Sequence, residues 1–68
     1  MKSVSGKRLC QIVKTKGWRL VRISGSHHIY SKENFPTISI PVHGNKDLRT
    51  GTLKGLMKAA GLSEGDLS

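Results

Sequence analysis

Acidic residues are scarce in this 68-residue chain: four Asp and Glu stand against twelve Lys and Arg, leaving a formal charge of +8. The isoelectric point is about 10.3. That imbalance points to a polyanionic partner, nucleic acid first, and an acidic protein or an anionic membrane second. Cysteine occurs once, at Cys10. A lone cysteine excludes an internal disulfide and fits a reducing cytoplasm. No apolar run approaches the ~18 residues of a membrane span. The basic start "MKSVSGKRLC" has no apolar stretch behind it, which argues against a signal peptide. Linkers, repeats and low-complexity segments are also missing, so residues 1–68 read as one small domain. A domain of this size buries only roughly 60% of the surface its unfolded chain exposes. A deep enclosed cofactor pocket is therefore not expected, no cofactor is called for, and any active site must lie on the surface.

What is present is positive charge spread from Lys2 to Lys58. It belongs to the folded body and not to a tail. In "SVSGKRLCQIVKTKGW", Ser3 or Ser5 can cap a helix whose apolar residues Leu9, Ile12 and Val13 recur at helical spacing. Lys14 and Lys16 suit the negative end of its dipole and Gly17 its stop. The spacing predicts a helix from about Gly6 to Lys16. "WRLVRI" reads as a strand broken at Ser24–Gly25, and "SHHIYSK" as a second. "TISIPV" alternates, with Ile38, Ile40 and Val42 on one side, and Pro41 places this third strand at an edge or a bulge. "HGNKDLRTG" is a loop of turn formers. "TLKGLMKAAG" carries the stripe Leu53, Leu56, Met57, Ala60, with Thr50 or Thr52 as cap and Gly61 as stop; "LSEGDLS" adds a last short turn. The order α-β-β-β-α predicts an α+β fold, two helices on one face of a three-stranded antiparallel meander. One apolar stripe per helix covers one sheet face, so the other is expected to be open and positive.

The stretch "GSHHIY", Gly25 to Tyr30, holds two of the three histidines. Neighbouring strand residues point to opposite faces. His27 and His28 therefore cannot readily grip one ion, and zinc wants three or four ligands around one centre, so no metal site is expected. One imidazole can simply pack beside Tyr30 while the other is exposed. On a cationic surface, however, an imidazole suits RNA cleavage, which needs a base for the 2′-hydroxyl proton, an acid for the leaving 5′-oxygen, and positive charge around the phosphorane. If Tyr30 packs under the helices, His27 lies on the open face. If Ile29 does, His28 lies there. The larger apolar group favours Tyr30 as the core residue. Ser26 can contact a phosphate oxygen or cap the turn.

"KGWRLVRISGSHHIY" followed by "ISIPVHGNKDLRTGTLKGLMKAAGLS" resembles the HicA (YcfA-like) toxins of bacterial toxin–antitoxin pairs. The most specific parts are Gly-Ser-His-x-x-aromatic at Gly25–Tyr30 and Pro-Val-His-Gly-Asn-Lys-x-Leu-x-x-Gly-Thr-Leu at Pro41–Leu53. The resemblance implies a double-stranded-RNA-binding-domain-like fold, ribosome-independent cleavage of mRNA, and inhibition by a HicB-type antitoxin covering the active site; the imidazole chemistry above requires no metal. It also implies that the histidine directly after Gly-Ser, His27, is catalytic, and it gives His28 no role. Thr50 replaces a proline frequent in the family, which affects the helix start and not the chemistry.

A complete transesterification wants a second group, and Ser26, His43 and Lys46 are the candidates by type. "HGNKDL" can equally be only a turn with a solvated Lys46. Arg19 and Arg22 on the first strand, Lys32 on the second, and Lys7 and Lys14 on the first helix are candidate RNA contacts, or simply the wet side of their elements. Trp18 fits the core better than a stacking platform. The expected function is a cytoplasmic endoribonuclease toxin. The alternative is a non-catalytic RNA-binding module of the same fold.

Overall fold

A computed structural model describes residues 3–67. Helix α1 spans Gly6–Thr15, strands β1, β2 and β3 span Arg19–Ser24, His27–Ser31 and Ile38–Pro41, and helix α2 spans Thr50–Ala60. A 3-10 turn over Glu64–Leu67 closes the described chain. The order is the one the apolar periodicities predict.

α1 starts where Ser5 accepts a hydrogen bond from the Arg8 amide at 3.0 Å, relieving one of the orphan donors of the first turn. It stops at Gly17, φ +95°, with the Trp18 amide donating back to the Val13 carbonyl at 3.1 Å. α2 stops in the same way at Gly61, φ +69°, with Leu62 N–H donating to Met57 O at 2.8 Å. Both ends use a left-handed residue to turn the chain and satisfy a last-turn carbonyl. The start of α2 differs from expectation. Its N-cap is Arg49, with no side-chain hydrogen bond, and Thr50 is the first helical residue. Neither Thr50 nor Thr52 caps it. The first helical position is the one where proline is favoured because its amide has no helical partner, which fits threonine standing there at little cost.

The sheet order is β1-β2-β3, with antiparallel pairing throughout. β3 is an edge strand and Pro41 its last residue, as a residue without an amide donor requires. Tyr30, Ile38 and Ile40 enter one buried cluster with Leu9, Val13, Leu53 and Met57. Trp18 is buried in the same cluster and meets Phe35 edge-on, ring centroids 5.5 Å apart. Val4 and Leu67, outside the periodic segments, also belong to it. The helices do not cover the sheet evenly. Both lie over β3, and all six residues of β1 are exposed. Both helices lie on one face of the sheet, as expected; being short, with one apolar stripe each, they cover that face over β3 and leave β1 bare.

Candidate functional site

The site is built around the turn between β1 and β2. Ser24–Gly25–Ser26 reverses the chain, and the Val42 amide donates to the Ser26 carbonyl at 2.7 Å. This bond fastens the exit of β3 to the turn. His27 opens β2 and is paired in register with Ser24 on β1 and Pro41 on β3. Tyr30 is 1% exposed, beneath the helices. Strand alternation then puts His27 and Ile29 on the face away from the helices, and His27 is exposed there.

His28 points the other way. It is half-buried and lines a groove of about 230 Å³ with Lys7, Cys10, Gln11, Lys14 and Leu20. Tyr30 forms the floor, where its hydroxyl is hydrogen-bonded to the Cys10 thiol. Burial first, and that bond second, push the Tyr30 phenol up to about 12. Burial likewise raises the Cys10 thiol, with the Tyr30 hydrogen bond working in the opposite direction. Both groups are therefore neutral and structural at ordinary pH. The two histidines lie on opposite sides of the sheet, and among the described residues no three His, Cys, Asp or Glu side chains gather as metal ligands.

The arginines of β1 reach the His27 face through a bulge. Arg19 pairs with Ser31 and Leu20 with Tyr30, but Arg22, not Val21, pairs with Ile29. The extra residue resets the alternation. Without it, residues 19 and 22 would face opposite ways; with it, both arginines share the face of His27 and Ile29. Lys32 lies elsewhere. It follows the end of β2, about 16 Å along the strand from His27 at ~3.3 Å per residue, and its ammonium sits 5.0 Å from the centroid of the Phe35 ring. Lys7 and Lys14 flank the His28 groove on the helix side. Of the five basic residues singled out by sequence, Arg19 and Arg22 share the open face, Arg19 opposite Ser31 and so near Lys32, while Lys7 and Lys14 lie on the helix side.

The loop after β3 brings together a second group. Pro41, His43, Lys46, Asp47, Leu48, Arg49 and Thr52 line an open cavity of about 280 Å³. It is held from behind by a Ser5–Asp47 bridge and by the Leu48 amide donating to Val4 O at 2.8 Å. Pro41, which lines the cavity, is the strand partner of His27, although His27 itself does not line it. His43 and Lys46 were legible as polar residues in a loop. Arg49 and Thr52 were not, because only the turn into α2 carries them back over Pro41. Ser26 contributes its carbonyl to the β3 tie.

Comparison with known families gives a match over residues 6–62 to the HicA toxin of bacterial toxin–antitoxin systems. The chain belongs to the HicA toxins. The matched stretch contains His27, both β1 arginines and the whole loop cavity. A HicA toxin works against a cognate antitoxin, so a protein partner comes with the family. No curated protein matches the chain significantly. Among the described residues no helix is long and apolar enough to cross a membrane.

Proposed function

We propose that this HicA toxin is a ribosome-independent endoribonuclease that cleaves mRNA with His27 as its acid–base residue and without a metal. The observation that supports this reading is the exposed His27 imidazole on the uncovered sheet face, with Arg19 and Arg22 on the same face and a cationic cavity beginning at its strand partner Pro41. His27 takes the proton from a ribose 2′-hydroxyl. The 2′-oxygen attacks the adjacent phosphorus, the bond to the 5′-oxygen breaks, and that oxygen leaves with a proton. The upstream fragment ends in a 2′,3′-cyclic phosphate. Arg19 and Arg22 hold the strand by its phosphates. His43 or Lys46 stands on the other side of Pro41 as the second proton donor or as charge stabilisation for the phosphorane. A HicB-type antitoxin silences the toxin by covering this face, and the toxin acts in the cytoplasm, where its substrate is.

The test is incubation of purified protein with RNA in the presence of a chelator, wild type beside His27→Ala. Cleavage by the wild type alone, with cyclic phosphate or its hydrolysis product at the upstream end, supports the reading. A 3′-hydroxyl there overturns the route. Binding without cleavage by either protein would leave an RNA-binding module of the same fold.

A further inference from the structure

β1 is the part of this fold that none of the described residues completes. Among the described residues it has a neighbour on one side only, and no turn or loop hydrogen bond reaches residues 19–24. Its outer edge therefore presents a row of amides and carbonyls without ladder partners. Leu20, Val21 and Ile23 are 42%, 59% and 55% exposed, three of the four large apolar side chains left in solvent among the described residues. The other edge, β3, is protected: it has four residues, ends in proline and lies under both helices. β1 has no proline and no helical cover; its bulge and its two arginines deter a like-charged strand, but its bare apolar side chains still suit a strand of complementary charge.

We propose that β1 is the docking edge for the antitoxin, which adds a β-strand of alternating apolar and acidic residues to it. The inference rests on the toxin–antitoxin reading and names the surface that the partner uses. The alternation follows from the two faces of β1. Leu20 and Ile23 are on the helix side, paired with Tyr30 and His28, whereas Arg19 and Arg22 are on the open side, paired with Ser31 and Ile29. A strand laid beside them places its apolar side chains against Leu20 and Ile23 and its carboxylates against the arginines. Main-chain hydrogen bonds supply affinity and the two faces supply specificity. A second copy of this chain is the wrong occupant, because it brings a +8 body against a +8 body, with Arg19 and Arg22 of both strands on the shared face. RNA is also wrong: it has no use for Leu20 and Ile23 and no ladder to offer. The added strand continues the sheet beyond β1, which carries the partner's body over the His27 face.

The experiment uses the intact toxin and its cognate HicB-type antitoxin, co-expressed and purified, with amide hydrogen exchange of free and bound toxin. The outward-pointing amides among residues 19–24 are expected to exchange quickly in the free toxin and to become protected in the complex. The double substitution Leu20→Ser with Ile23→Ser is expected to weaken the complex at least tenfold while RNA cleavage stays at the wild-type rate. Circular dichroism checks that the variant is folded, and the exchange data on the wild type stand whether it is or not. Equal affinity of the variant together with unprotected 19–24 amides overturns the edge and leaves the antitoxin reading intact. No binding of antitoxin to wild type overturns both. Protection of 19–24 in the free toxin through self-association also overturns the proposal.

Discussion

The α-carbon of Gly6 packs directly on the carbonyl of Pro41, so close that a side chain on residue 6 would overlap that oxygen and lie 3.2 Å from the Val42 α-carbon. This contact fixes the start of α1 against the end of β3, beside the strand partner of His27. Both opposing atoms are main chain and cannot swing aside.

Gly6→Ala is therefore expected to destabilise the fold by about 1–3 kcal/mol, the usual range for overpacking. A domain of this size loses ~4–8 °C in Tm per kcal/mol. Thermal unfolding followed by circular dichroism measures it, and an unchanged Tm would show that the helix start is free to move.

His27 and His28 offer a contrast within one dipeptide. His27→Ala is expected to lower RNA cleavage by about 10²-fold or more, the scale of a lost acid–base group, while most RNA binding remains. His28→Ala, on the helix side of the sheet, is expected to leave cleavage within a few-fold of wild type. Single-turnover rates on one RNA at fixed pH decide it. Equal losses from both substitutions would mean that strand polarity does not select the catalytic ring.

The bulge at Val21 makes a prediction about salt. Arg19→Ala and Arg22→Ala should each weaken RNA binding and lower the slope of log affinity against log salt by about 0.7, the value for one phosphate contact on a single strand. Lys32→Ala, against Phe35 at the far end of β2, is expected to leave that slope unchanged. Titration of catalytically inactive His27→Ala with RNA at several salt concentrations reads all three. An Arg22 substitution without effect would remove the bulge from the functional account.

Acid should loosen the C-terminal turn. The Asp66 carboxylate lies 2.8 Å from the Lys16 ammonium and accepts hydrogen bonds from the Ser63 amide at 2.8 Å and hydroxyl at 3.2 Å. The Lys16 contact first, and the Ser63 amide second, hold its pKa down at about 2. A carboxylate with a depressed folded-state pKa stabilises the fold above its unfolded value, ~3.9, and that contribution disappears as pH falls through the folded value. The Tm advantage of wild type over Asp66→Asn is expected to be constant above pH ~5, to fall as pH drops through ~4 to ~2, and to vanish near pH ~1. Parallel melting curves across that window would contradict it. The site is solvent-exposed, so the effect is small and should shrink further in salt.

Local patterns were enough for the elements. The Leu9, Ile12, Val13 and Leu53, Met57, Ala60 stripes, the alternation Ile38, Ile40, Val42, and the stops at Gly17 and Gly61 are all short-range physics, set by residues within a turn or two of each other. The side of the sheet taken by His27 was nearly legible, since it followed once Tyr30, the larger apolar group, was assigned to the core. Arg22 could not be placed that way, because one bulged residue inverts every position beyond it. The cap of α2, assigned to a threonine by residue type, fell instead at Arg49.

From its sequence alone this chain had a charge, an α-β-β-β-α order, an apolar side for each element and a histidine in a recognisable setting, because each depends on composition or on neighbours close in the chain. The fold decided what depends on contacts between distant segments: that Arg19 and Arg22 share the face of His27, that His43, Lys46, Arg49 and Thr52 meet beside Pro41, that Gly6 has to be glycine, and that two narrow helices leave β1 bare. Those relations follow from strand register and from the width of the helical layer, and no window of sequence contains either.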